Sequence, residues 1–233
     1  MLAAKPHTFS VKSLNPTAVL SFAKEVLMNN KRQVKIAVFV SGGGTNLQAL
    51  IDAYNNKIIS SGKIELVISN NPNAYALKRA ELAGIPSATV SKKECGSQEA
   101  FEKKLKEILN QNQIELIVLA GFMNILSADF TKDYPERIIN VHPSLIPSFC
   151  GKGFHGLKVH EAALQYGVKV TGATVHFVNE IPDGGRIILQ KSVAIKKNDT
   201  PETLQRRVME NAEWKILPKA VELVSKEILK TDK

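Results

Sequence analysis

The chain has 233 residues, the size of one domain, and its 44% hydrophobic and 23% charged residues exclude fibrous and disordered classes. No apolar run approaches the ~18 residues of a membrane-spanning helix, and two cysteines, Cys95 and Cys150, supply neither a disulfide framework nor a metal-ligand spacing. The net charge of +9 suggests an anionic partner, but the first 33 residues hold Lys5, Lys12, Lys24, Lys31 and Arg32 against Glu25, and the remaining excess is scattered without interleaved aromatics. That pattern argues for small anionic molecules over nucleic acid or a membrane surface.

Residues 1–33 read as an N-terminal extension, disordered or not native, with Met28 as the start of the functional chain; an organelle transit peptide is the competing reading. The domain then spans 34–233. It opens on a β-branched run, Val34–Val40, followed by the glycine loop SGGGTN at 41–46. Leu47, Leu50, Ile51 and Tyr54 recur at helical spacing, a strand is expected at 64–69 and a helix at 74–83. A short strand follows at 88–90, then a helix over Gln98–Gln111 with Phe101, Leu105, Ile108 and Leu109 on one face. Apolar strands are expected at 115–120 and 137–141, and a hairpin from 170–178 and 186–195. Thr200 followed by Pro201 starts a last helix expected to run to about residue 229, with a kink at Pro218. Strands alternating with helices predict an α/β fold: a doubly wound, mostly parallel, Rossmann-like sheet with a C-terminal antiparallel strand pair and a long terminal helix.

Two places carry chemistry. Gly42, Gly43 and Gly44 lie between a buried strand and a helix, where free N–H groups and the helix dipole suit a phosphate. The spacing fits neither the dinucleotide fingerprint nor a Walker A loop, which favours a phosphomonoester. The alternative is a tight structural turn capped by Thr45 or Asn46. The second place is the carboxyl end of the 137–141 strand, with Asn140 and His142. His176 and Thr174 share one face of the later strand, and Asp183 follows. A histidine held protonated by a carboxylate, together with an amide, can stabilise the oxyanion of an attacked carbonyl. No elbow motif places a serine or cysteine as nucleophile, so the attacking group would be a second substrate. A two-histidine, one-carboxylate metal site with His155 or His160 as further ligands is the competing reading, as is a structural role for each histidine taken singly.

At this point the sequence resembles the phosphoribosylglycinamide formyltransferases, folate-dependent enzymes of purine synthesis. The matching segments are SGGGTNLQ at 41–48, LAGFM at 119–123, NVHPSLIP at 140–147, TGATVHFV at 171–178 and DGG at 183–185. The resemblance implies formyl transfer from 10-formyltetrahydrofolate, as co-substrate and without a metal, to the amine of glycinamide ribonucleotide. It implies Asn140, His142 and Asp183 as the catalytic set, with His176 and Thr174 in support. Gly44, Thr45, Asn46, Glu210 and Glu213 would hold the ribonucleotide. Met123, Asn124, Ile125, Leu126, Asn140, Asn179, Glu180, Ile181 and Asp183 would line the folate pocket. Asn124 and Gln98 stand where many relatives have arginines. A cytoplasmic monomer or homodimer is implied, with small-molecule substrates and no nucleic-acid or membrane partner. Another folate-dependent formyltransferase, or an inactive folate- or nucleotide-binding regulator, are the alternatives.

Overall fold

The computed structural model describes residues 32–231, so all but the last two residues of the predicted N-terminal extension lie outside the described residues. Among these residues seven strands form one sheet in the order β3-β2-β1-β4-β5-β6-β7. They are β1 (Val34–Val40), β2 (Gly62–Ser69), β3 (Ser87–Thr89), β4 (Leu116–Leu119), β5 (Ile138–His142), β6 (Val170–Phe177) and β7 (Ile187–Ala194). β1 to β5 are parallel, while β6 runs antiparallel to β5 and β7 antiparallel to β6. The expected fold class is therefore the observed one.

β1 shows why the sheet is central. Val34, Ile36, Val38 and Val40 point to one apolar layer, and Ala37 and Phe39 to the other, all fully buried. The first layer is completed by α1 (Thr45–Asn55) through Leu47, Leu50 and Ile51, by α2 (Tyr75–Leu82) through Ala76 and Ala80, and by the C-terminal helix. The second is completed after the short α3 (Lys92–Cys95) by α4 (Gln98–Gln111), whose Phe101, Leu105 and Leu109 are buried, and by Phe130 of α5 (Ala128–Lys132). Each of the buried Val, Leu, Ile and Phe side chains contributes about 1.5–3 kcal/mol by leaving water.

The strand order reverses between β1 and β4, and in doubly wound sheets ligands lie outside the carboxyl ends of the strands at such a switch. Three segments leave the sheet there: the glycine loop after β1, residues 120–127 after β4, and the chain after His142 at the end of β5.

Two expectations fail. Residues 157–166 form α6 (Leu157–Tyr166), where the sequence pattern predicts no element. Only Val159, His160 and Ala163 are buried on it, too narrow a stripe to show as a helical period. The last helix is also not one element with its break at Pro218. α7 (Pro201–Val208) starts with Thr200 and Thr203 in a capping box, then Met209–Glu213 forms a π-helical turn, and α8 runs Trp214–Thr231. Pro218 lies inside α8, and the irregularity precedes it at Met209–Glu213.

Candidate active site

The glycine loop leaves β1 at Ser41. Gly44 is the N-cap of α1 at φ 71°, and a Cβ there would lie 2.6 Å from that of Ala76. Gly42 and Gly43 face open space and carry no such constraint. Neither Thr45 nor Asn46 caps the helix, so the capping role of the structural-turn alternative fails: among the described residues no side chain bonds the first-turn amides of α1. Thr45 turns instead to the Met209 sulfur at 4.0 Å, and Asn46 Nδ2 donates to Glu213 Oε2 at 2.7 Å. The amide nest at the start of α1 therefore stays open to an anion.

Glu213 comes from the π-helical turn and is almost completely buried. Burial pushes its carboxyl up to about 7 although the Asn46 hydrogen bond opposes the shift. Glu210, three residues earlier, is exposed and paired with Arg206 Nε at 2.8 Å, so the structure turns the two glutamates in different directions.

The second cluster is built by strand register. Asn140 lies opposite His176 and His142 opposite Thr174. His176 Nδ1 is 2.8 Å from the Phe177 carbonyl, which can only accept, so that nitrogen carries the proton. His176 Nε2 lies 3.2 Å from Asn140 Nδ2. By the same reasoning His142 Nε2 donates to the Phe149 carbonyl at 2.9 Å, leaving Nδ1 to face Asp183 Oδ2 at 3.5 Å. Asp183 Oδ1 lies 3.5 Å from His176 Nε2, and Oδ2 accepts from the Gly151 amide at 2.8 Å. Thr174 is fully buried and structural: it donates to the Ser144 carbonyl at 2.7 Å and accepts from Ile146 N at 3.1 Å.

The expectation of a His142 held protonated fails. Burial pushes its pKa below the ordinary 6.5, and this outweighs both Asp183 and the Phe149 hydrogen bond. Asp183 behaves in the opposite way. Burial raises its carboxyl, but His176, His142 and the Gly151 amide together hold it below the usual carboxylate range. The resting pair is a neutral imidazole beside a carboxylate, at a separation too long for a strong hydrogen bond.

On the predicted folate side, Ser41 Oγ accepts from Met123 N at 2.8 Å and Asn70 Nδ2 donates to Asn124 Oδ1 at 2.7 Å. Gln98 Nε2 reaches the Ile125 carbonyl at 3.2 Å. Met123, Ile125 and Ile181 are exposed apolar side chains, whereas Leu126 is buried in the core with Phe130. Asn179 Oδ1 caps the turn by accepting from Ile181 N at 3.0 Å, and Glu180 points to solvent.

Sequence reading missed three contributors. The Phe149 carbonyl and Gly151 amide are backbone groups of a loop whose residue identities say nothing of their role. Arg79 on α2 binds the glycine loop, although nothing in its local pattern marks it. His160, considered only as an added ligand, is fully buried on α6 with both ring nitrogens unpartnered, and burial with His142 nearby lowers it to about 4. Among the described residues no three His, Cys, Asp or Glu side chains are arranged to hold a metal ion. A hollow of about 520 Å³ between α1 and α8 meets the site at Thr45 and Arg79.

The family model for formyl transferases matches residues 34–221. The chain is 45% identical over 208 residues to the trifunctional purine biosynthetic protein adenosine-3 of Gallus gallus, covering 89% of this chain but 20% of that protein. It thus spans about a fifth of the length of such trifunctional relatives. It is 42% identical to phosphoribosylglycinamide formyltransferase of Haemophilus influenzae, over 79% of this chain and 84% of that one. The crystal structure of glycinamide ribonucleotide transformylase 1 from Symbiobacterium toebii superposes with a TM-score of 0.78 at 39% identity, covering 84% and 89% of the two chains. With a family match across nearly the whole sheet and helices, the chain belongs to the formyl transferase family.

Proposed function

We propose that this chain transfers the formyl group of 10-formyltetrahydrofolate to the primary amine of N1-(5-phospho-D-ribosyl)glycinamide, giving the N2-formyl product and tetrahydrofolate in purine biosynthesis. The observation that carries this reading is the meeting of Asn140, His142, His176 and Asp183 at the same carboxyl edge of the sheet as an open amide nest. Its substrate assignment rests on the likeness to the Haemophilus influenzae protein.

In this reading the phosphate sits on the amides at the start of α1, with Thr45 and Asn46, and Glu213 meets the ribose. Glu210 takes part only by leaving its pair with Arg206. The formyl folate lies along Met123, Asn124 and Ile125 with its ring end against residues 179–183; buried Leu126 supports this wall from beneath.

The neutral amine attacks the formyl carbon, a C–N bond forms, and the carbonyl electron pair moves onto oxygen. The Asn140 amide, placed by its contact with His176, donates a proton to the oxyanion. The formyl oxygen competes with the Phe149 carbonyl for the His142 Nε2 proton. Asp183, held ionised, accepts the proton that the attacking nitrogen loses, and that proton passes to N10 of the folate as its bond to the formyl carbon breaks.

The test is incubation of the purified chain with 10-formyltetrahydrofolate and glycinamide ribonucleotide, following formylated product by mass. Stoichiometric formylation with release of tetrahydrofolate is expected. Its absence, with the Haemophilus influenzae relative active in the same mixture, refutes the reading and leaves the inactive-regulator alternative standing.

A further inference from the structure

The glycine loop is gripped from one side. The Gly42 carbonyl accepts from the Ala76 amide at 3.0 Å, and the Gly43 carbonyl accepts from Arg79 Nε at 2.8 Å. Arg79 Nη1 also donates to Gln48 Oε1 on α1 at 2.9 Å, and its guanidinium stands 5.1 Å from the centre of the Tyr75 ring. A trans peptide is planar, so a carbonyl turned one way turns the next residue's N–H the other way. With the carbonyls of Gly42 and Gly43 directed at α2, the N–H groups of Gly43 and Gly44 are directed away from it. They join the amides of Thr45, Asn46 and Leu47, which precede the first helical bond, Gln48 N to the Gly44 carbonyl. Successive amides so aligned make an anion-binding concavity.

Gly42 and Gly43 have open space where a Cβ would be, so packing holds this peptide only at its Gly44 end. Two adjacent glycines have the widest backbone freedom of any pair, and a flipped 43–44 peptide would present its carbonyl to an incoming anion. We propose that Arg79 is the positioning residue of the phosphate site: its hydrogen bond to the Gly43 carbonyl turns the 43–44 peptide so that the Gly44 N–H faces the phosphate. The bond is charge-assisted and so about twice as strong as a neutral one, and Gln48 and Tyr75 hold the guanidinium in place for it.

This inference rests on the ribonucleotide reading above, and two measurements keep the two apart. The first is steady-state kinetics of wild type, Arg79→Ala and Arg79→Lys, all checked for unchanged melting temperature. In Arg79→Ala the KM for the ribonucleotide rises about tenfold, equivalent to about 1.4 kcal/mol, while kcat and the KM for the folate stay within about twofold. Arg79→Lys, which can still donate to the Gly43 carbonyl, recovers most of the loss. The second is calorimetric binding of inorganic phosphate, which weakens by a similar factor in Arg79→Ala whatever the activity. A wild type that binds phosphate but forms no product refutes the ribonucleotide reading alone. Equal phosphate affinity in wild type and Arg79→Ala, or a parallel change in both KM values and kcat, overturns the role of Arg79.

Discussion

Glu213 titrates in the wrong place for a carboxylate, and stability must record it. Its ordinary pKa is 4.5, and burial raises it to about 7 in the folded protein. As pH rises, the unfolded chain releases this proton first. The folded state therefore loses stability from about pH 4.5 upward, and the loss is complete above about pH 7. At about 1.4 kcal/mol per pH unit, the loss is a little over 3 kcal/mol, a large part of the 5–15 kcal/mol typical of a domain. Glu213→Gln keeps an oxygen to accept from Asn46 Nδ2 and removes the titration. Urea unfolding of wild type and variant at pH 5, 6, 7 and 8 separates the effects, because any packing difference is constant with pH. The variant should gain on the wild type by up to about 3 kcal/mol between pH 5 and 8. A difference that does not change with pH would refute the reasoning, since Glu213 would then ionise in the folded state as readily as in water.

His160 predicts the opposite slope. Its folded pKa of about 4 lies below the ordinary 6.5, so stability falls as pH drops from about 6.5 to 4, and His160→Leu should remove about 3 kcal/mol of that fall. Parallel urea-derived slopes for wild type and variant in that range would exclude it. Asn140→Ala should lower kcat by ~10²–10³ with the melting temperature little changed; turnover within tenfold of wild type would show that the oxyanion has other donors. Gly44→Ala combines φ 71° with a 2.6 Å approach to Ala76 and should cost about 1–3 kcal/mol in urea unfolding. Gly42→Ala faces open space, so it should leave stability unchanged and raise the KM for the ribonucleotide; a destabilised protein with normal KM would contradict the open nest.

The layered fold was legible in the chain because its cause is local. The unbroken apolar run Val34–Val40 must be covered on both faces. The spacing of Phe101, Leu105 and Leu109 makes one helix face, and Thr200-Pro201 marks a helix start wherever it occurs. The polar residues of the site were legible too, since Asn140, His142, His176 and Asp183 stand in motifs with a strand alternation that puts partners on one face. What the sequence could not decide were the states of those residues. Whether Asp183 or burial wins at His142 depends on a 3.5 Å separation and on a carbonyl from residue 149, both products of tertiary packing. Glu210 and Glu213 look alike in the chain, yet the π-helical turn buries one against Asn46 and leaves the other in solvent with Arg206. Arg79 becomes part of the loop only because α2 packs on Gly44. Backbone pattern is a short-range property that a sequence carries openly, whereas charge state and peptide orientation follow from distance and burial, which exist only once the chain has folded.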